Sequence, residues 1–484
     1  MATTAQALLA EVLRSPDDDE WRRLYADALV ELGDVRGELI HVQLRSSTLP
    51  VSPERARLEA RATELLREHE ASWAPPLGPM GESQTFTRGF VETLRVGERA
   101  ELPPGHAPLF PDHPVRALTA FTNDAFEAGI PDVVARLPPL SRLEFIGLPP
   151  EELLSLEGLG GAPELHTLAL SADRLFIPIP RLRLKGLRSL SLRSTAGDRE
   201  VEVLCRQAWA PQLRALSLSG ELSASGARTL ARSHALDGLT SLELAGNFRL
   251  GGAGFRALGE FAAPGLRVLD VSHCDMGGEG LRALLRMPLS GLTHFSAHHD
   301  RLVAADVAPL TAALPEGLTH LKLASNALGN AGVQQLLETL RAPRLEVLEL
   351  GVNGLDARAV PPLLAHLPPS VRALSLTWNP LGSDGLDALA GNPALAQLHT
   401  LDLGGTKAGE RGLLTLAKSP FLAGLRTLNL HALVLSPEVT RALCENPALE
   451  ALGELSVDLR PEFVRDAAAR LLRARFGPVL HQRW

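Results

Sequence analysis

The segment Leu318-Thr-His-Leu-Lys-Leu-Ala-Ser-Asn-Ala-Leu328 is answered by Leu345-Glu-Val-Leu-Glu-Leu-Gly-Val-Asn-Gly-Leu355 and again by Val371-Arg-Ala-Leu-Ser-Leu-Thr-Trp-Asn-Pro-Leu381. All three share apolar residues at positions one, four, six and eleven and an asparagine at nine. Outward from this core, the six-residue pattern LxxLxL also begins at Val115, Leu140, Leu165, Leu187, Leu213, Leu239, Leu266, Leu292, Leu398, Leu425 and Leu452, and more weakly at Val91. A fixed period of this kind means stacked structural units rather than separate globules. Alternation along the first six residues predicts a short strand. Positions four and six point inward, while two, three, five and seven face solvent or the rim. The asparagine amide is suited to satisfying backbone groups where the chain leaves the strand. Other units put Cys274, Asp300, Thr406 and Leu433 at that place, which predicts a discontinuous ladder of turns. A glycine (Gly280, Gly332, Gly385, Gly412) then precedes a helical stretch. In Val333-Gln-Gln-Leu336-Leu337-Glu-Thr-Leu340 the apolar residues recur at i, i+3, i+4 and i+7, one stripe that packs back on the strands. Proline or glycine closes the unit.

The chain of 484 residues carries 48 Lys+Arg against 56 Asp+Glu, a formal charge of −8. Clustered positive charge of the kind a nucleic-acid binder needs is missing, so no nucleic-acid partner is expected. Three cysteines (Cys205, Cys274, Cys444) are too few and too scattered for a disulfide framework, and an apolar share of 45% excludes wholesale disorder. No run of about 18 apolar residues occurs, so no membrane span is expected. Met1–Leu13 reads as a short amphipathic helix and not a signal peptide, which together with the free cysteines suggests the cytoplasm.

These repeats resemble bacterial leucine-rich-repeat proteins of the ribonuclease-inhibitor type over about Val91 to Leu459. The resemblance implies an α/β solenoid: a horseshoe with a parallel concave sheet and convex helices, preceded by a small α-helical N-terminal domain. At the start, Pro16-Asp-Asp-Asp19, Tyr25-Ala26-Asp27, Leu32-Gly33-Asp34, Arg36-Gly37-Glu38 and Leu39-Ile40 are similar to the short helical companion domain of bacterial repeat proteins, as is Arg88-Gly89-Phe90-Val91. The expected organisation is residues 1–85 as helical companion and cap, 86–459 as about 14–15 repeats, and 460–484 as a closing helix. Caps are needed because end units would otherwise expose their apolar faces. A helix starts at Asp17–Glu20 and stops at Gly33, and a further one starts at Ser52-Pro53-Glu54.

Catalytic signatures such as GxxxxGK[ST], HExxH, GxSxG and CxxC are missing, and Cys205 and Cys444 read as small core residues. Projection of the repeat onto a sheet gathers His273, His294, His298, His299 and His320 on or beside the concave face, with Asp270, Asp300 and Lys322 among them. Position five along the strands reads Glu243, Asp270, Ser296, Lys322, Glu349, Ser375, Asp402, mostly acidic, and Val352 and Trp378 follow the strands of successive units. An exposed tryptophan beside a valine, ringed by acids and histidines, has the composition of a binding hot spot and would steer a basic partner. The candidate partner-binding residues are therefore Glu243, Asp270, His273, His294, His298, His299, His320, Lys322, Glu349, Val352, Trp378 and Asp402. The reading is a non-catalytic scaffold, with no cofactor, that binds a protein partner on the concave face. Alternatives are regulation of an enzyme in trans, such as a GTPase or nuclease, and a metal site among His273–His320, where imidazoles from adjacent strands come close enough for zinc.

Overall fold

The structure is a computed structural model that describes residues 2–74, 83–96, 110–121, 137–147, 164–171, 186–460, 462–464 and 466–482. Two compact units emerge. The first comprises Met1–Leu49 and Arg57–Glu221, the second Pro50–Ala56 and Leu222–Trp484.

In the first unit, helices α1 (Ala2–Arg14), α2 (Asp19–Glu31) and α3 (Arg36–Thr48) precede the strands. Asp18 caps α2, its carboxylate accepting from Glu20 N at 2.9 Å, and Gly33 at φ +75° ends it. The helix α3 is not signalled by the sequence periodicity. Its first turn contains Gly37, where a Cβ would lie 2.6 Å from Ala26 O of α2, so close helix crossing and not helix propensity dictates the residue. Tyr25, Ala26, Leu29, Ile40 and Leu44 pack on Phe90, whose ring also lies between the Arg22 and Arg36 guanidiniums at 5.1 and 4.8 Å. The acids at the start of α2 are consumed in ion pairs, Asp19 with Arg88 and Asp17 with Arg116. Phe90 opens β2 (Phe90–Val96), which forms an antiparallel hairpin with β1 (Ser83–Thr87). The positive φ of both Arg88 and Gly89 makes that two-residue turn. From β2 the pairing is parallel, through β3 (Ala117–Phe121), β4 (Arg142–Ile146), β5 (Thr167–Ser171) and β6 (Ser189–Ala196) to β7 (Ala215–Gly220). The segments where convex helices of the repeats before Leu187 were expected lie outside the described residues.

The second unit shows the repeat at its most regular. Ten three- or four-residue strands, from β8 (Ser241–Glu243) to β17 (Leu480–Gln482), pair in parallel and in sequence order. The leucines at positions one, four and six are buried throughout, for example Leu345, Leu348 and Leu350, so three stacked apolar rows form the core against the helices. Burial of each such side chain contributes roughly 1.5–3 kcal/mol, which makes these rows the main stabilising feature. Helices begin at Gly277, Gly329 and Gly382, each with φ near +60°, three residues before the glycines expected to precede them. Gly280, Gly332 and Gly385 lie inside the helices, where a Cβ would press on neighbouring atoms at 2.9, 3.1 and 2.8 Å. After the helix Asp466–Phe476, which buries Ala468, Ala469, Leu472 and Phe476, the chain adds β17 beside β16 (Glu454–Val457). The tail thus supplies a strand as well as the expected closing helix. Residues 461, 465, 483 and 484 of that tail lie outside the described residues.

Candidate functional site

The turn after each strand of the second unit is built from the asparagine rung. Asn379 is fully buried. Its amide nitrogen donates to Leu350 O and Leu376 O at 2.9 and 3.0 Å, and its Oδ1 accepts from Asn353 N and Leu355 N at 2.8 and 3.1 Å. Asn353, Asn326 and Asn247 act alike. The ladder expected to break at Cys274 and Thr406 keeps its donor function there. The Cys274 thiol donates to Leu244 O of the preceding repeat and the Thr406 hydroxyl to Leu403 O of its own, each meeting one of the two carbonyls that an asparagine serves together.

Asp300 is the exceptional rung. It was expected among the exposed groups, but it is fully buried. Its Oδ1 accepts from Cys274 N and Met276 N, while Oδ2, placed where the asparagines carry their donor, has no hydrogen-bond partner. Burial pushes its acidity to about 7, so the carboxyl holds a proton far above the usual carboxylate range. A protonated Oδ2 is a donor, the same chemistry that the amide provides.

The residue before each rung has positive φ: His273, His299, Ser325, Val352, Trp378 and Ala432 lie between +52° and +58°. For a β-branched valine this conformation is costly, and the lattice of strands holds it. Val352 N donates to Thr377 O and Trp378 N to Gly404 O, both at 2.8 Å. Trp378 is 57% exposed and Val352 44% exposed. The indole lies across Gly405, where a Cβ would come within 2.5 Å of the ring, so Gly405 serves both its own φ of +66° and the aromatic above it. Phe248, which the sequence reading passed over, is 62% exposed and meets His273 edge-on at 6.2 Å. Its signal was its place directly after a rung asparagine, where the side chain has no core to enter.

The histidines separate into two stacked pairs with His298 between them in sequence. His273 stacks on His299 at 5.0 Å along the turn edge, and His294 stacks on His320 at 4.0 Å between adjacent strands. His298 Nε2 lies 3.4 Å from Glu349 Oε2, and Lys322 Nζ lies 2.8 Å from Glu349 Oε1. Burial lowers the basicity of His298, and burial and Lys322 lower that of His294. Burial and His294 do the same to His320. These imidazoles are neutral at pH 7. Asp270 and Asp402 each turn one carboxylate oxygen to a backbone N–H two residues on, Ser272 and Gly404, so part of the acidic row has a local structural role. Glu243 projects into solvent from its strand. On the open sheet face, positions three and five carry five acids (Glu243, Asp270, Glu349, Asp402, Glu454) and Lys322. Asp458 is buried and paired with Arg460, and position two adds Glu346 with Arg267, Arg372 and Arg426. Among the described residues, no three His, Cys, Asp or Glu side chains are grouped to hold a metal ion, and no helix is long and apolar enough to cross a membrane.

A family model described as Leucine Rich repeat matches residues 264–285, 318–337 and 368–390. The matched segments are leucine-rich repeats. In the second unit every repeat places a strand on one layer and a helix on the other, the solenoid architecture of that repeat class. No curated protein matches the chain. Among solved structures, the yeast complex of Rad7 and Elc1 has a similar chain at 13% identity, covering 76% of this chain and 80% of that one with a TM-score of 0.46. The leucine-rich repeat-containing protein LegL7 from Legionella pneumophila is similar at 19% identity, covering 60% of this chain and 97% of that one with a TM-score of 0.40.

Proposed function

We propose that this chain is a non-catalytic interaction scaffold that binds a basic partner protein through the open sheet face of its second unit. The observation that carries the reading is the pair Val352 and Trp378: two apolar side chains held outward on a strained, fully hydrogen-bonded backbone. A tryptophan that has already lost its freedom against Gly405 gives up little entropy on binding. Around it, position five of the strands carries four acids (Glu243, Asp270, Glu349, Asp402) against Lys322, a row that favours an approaching basic group. The candidate residues Glu243, Asp270, His273, His294, His298, His299, His320, Lys322, Glu349 and Asp402 form the polar surround, and Phe248 extends the apolar edge. A standard interface needs about 800 Å² on each partner, which a few adjacent repeats supply.

Crosslinking and mass spectrometry in the native cell identify the partner, and purified proteins then test the face. Trp378→Ala with His298→Ala is expected to weaken binding by at least about tenfold while shifting unfolding stability by less than about 1 kcal/mol. Normal binding by that variant places the contact elsewhere and overturns the reading.

A further inference from the structure

The stacked pair His294–His320 has a fixed tautomer. Thr293 Oγ1 donates to Arg267 O at 3.0 Å, and Thr319 Oγ1 donates to Thr293 O at 3.0 Å. Each hydroxyl has one hydrogen, and it is spent on that carbonyl. The 2.9 Å contacts from Thr293 Oγ1 to His294 Nδ1 and from Thr319 Oγ1 to His320 Nδ1 must therefore be donated by the imidazoles. In the neutral rings Nε2 is left as a bare acceptor on both, and among the described residues neither Nε2 has a hydrogen-bond partner. The rings are near-parallel, 17° apart with centroids 4.0 Å apart, so two acceptors stand side by side on the open face.

We propose that the His294–His320 pair, with His298 beside it, is a pH-gated seat for a lysine or arginine side chain of the partner, open to the cation while the imidazoles are neutral and closed when they are protonated. The inference rests on the basic-partner reading above and specifies where, and under what condition, the charge is received. Two parallel acceptors suit the multiple N–H groups of one guanidinium or ammonium. The charged groups facing them are Lys322, Glu346, Glu349, Asp270 and His273. Lys322 is the only permanent cation of this set, and its charge is met by Glu349. Protonation reverses the chemistry. Each Nε2 becomes a donor, the stacked rings repel each other, and the two groups titrate as a coupled pair. His298 then becomes a second cation on Glu349 beside Lys322, so the carboxylate loses its hold on an incoming base. Because burial opposes these charges, closing requires a pH below the ordinary imidazole value of 6.5.

The test uses the full chain and a fluorescein-labelled hexa-arginine peptide, with affinity measured at about pH 7.5 and about pH 5. The expected result is a loss of at least about tenfold on acidification for the wild type. In His294→Gln/His320→Gln, which keeps polar side chains that cannot take a proton, the loss is expected to shrink to about threefold or less. His320→Gln alone, which removes the mutual repulsion, serves if the double variant melts early. A wild type that binds equally at both pH values, or a double variant that loses as much as the wild type, overturns the gate and leaves the basic-partner reading standing. Failure of the peptide to bind at about pH 7.5 overturns that reading and the gate with it.

Discussion

The repeats that begin at Leu266 and Leu292 and those that begin at Leu345 and Val371 share one register, yet they fill the turn with opposite chemistry. In the earlier pair the rungs are Cys274 and Asp300, and the exposed residues above them are His273 and His299. In the later pair the rungs are Asn353 and Asn379, below Val352 and Trp378. The asparagine turns have matched donors and acceptors, and what they present is apolar and insensitive to pH. The cysteine turn is satisfied by a weak thiol donor, the aspartate turn leaves Oδ2 without a partner, and what they present is polar imidazole. One backbone template thus carries an apolar anchoring half and a polar half side by side.

The sharpest way to break this contrast is to remove a rung from each half. Asn379→Ala leaves two buried N–H groups and two carbonyls without their side-chain partner and is expected to cost about 4 kcal/mol in urea unfolding. Cys274→Ala loses one weak donor and is expected to cost about 1 kcal/mol. Equal losses would show that the rungs are not the difference.

Asp300→Asn tests the proton. The folded carboxyl titrates near 7 and the unfolded one near 3.8, so between those values the native state keeps a proton that the unfolded chain has released. Stability contributed by that proton is complete below 3.8 and is lost as pH rises through about 7. Asparagine needs no proton, so the variant is expected to gain about 3 kcal/mol at pH 8 and almost nothing near pH 4. A gain that is the same at both ends would mean that Asp300 is not the protonated rung.

The smallest effect concerns strain. Val352→Asn puts a residue that tolerates positive φ where a β-branched one stands, and is expected to stabilise the fold by about 0.5–1 kcal/mol while weakening partner binding. Stabilisation without any loss of binding would make Val352 a structural residue only.

Much of this was legible because strand and rung obey short periods. The leucines at positions four and six follow from alternation and the asparagine turns from their fixed place in the repeat, whereas Trp378, at position eight, is turned outward by its positive φ, against the alternation. The helix starts do not. Several repeats carry glycines three apart, such as Gly329 and Gly332. Only coordinates tell which takes positive φ and which yields to a neighbour's backbone. Likewise Asp300 stands at an asparagine position, yet the sequence does not tell that its second oxygen goes without a partner, and the β1–β2 hairpin hides because Arg88-Gly89 is a weak turn signal. The histidine pairs were legible as a concentration, but their tautomers depend on hydroxyls one residue away.

Hydrogen–deuterium exchange of the chain with and without its captured partner tests the central claim most directly. The account predicts protection in the strand-to-turn segments 270–275, 294–301, 320–325, 349–354 and 375–380, with the helices Gly277–Leu284 and Gly382–Ala390 unchanged. Protection confined to those helices, with the turns at Val352 and Trp378 unaffected, would contradict it.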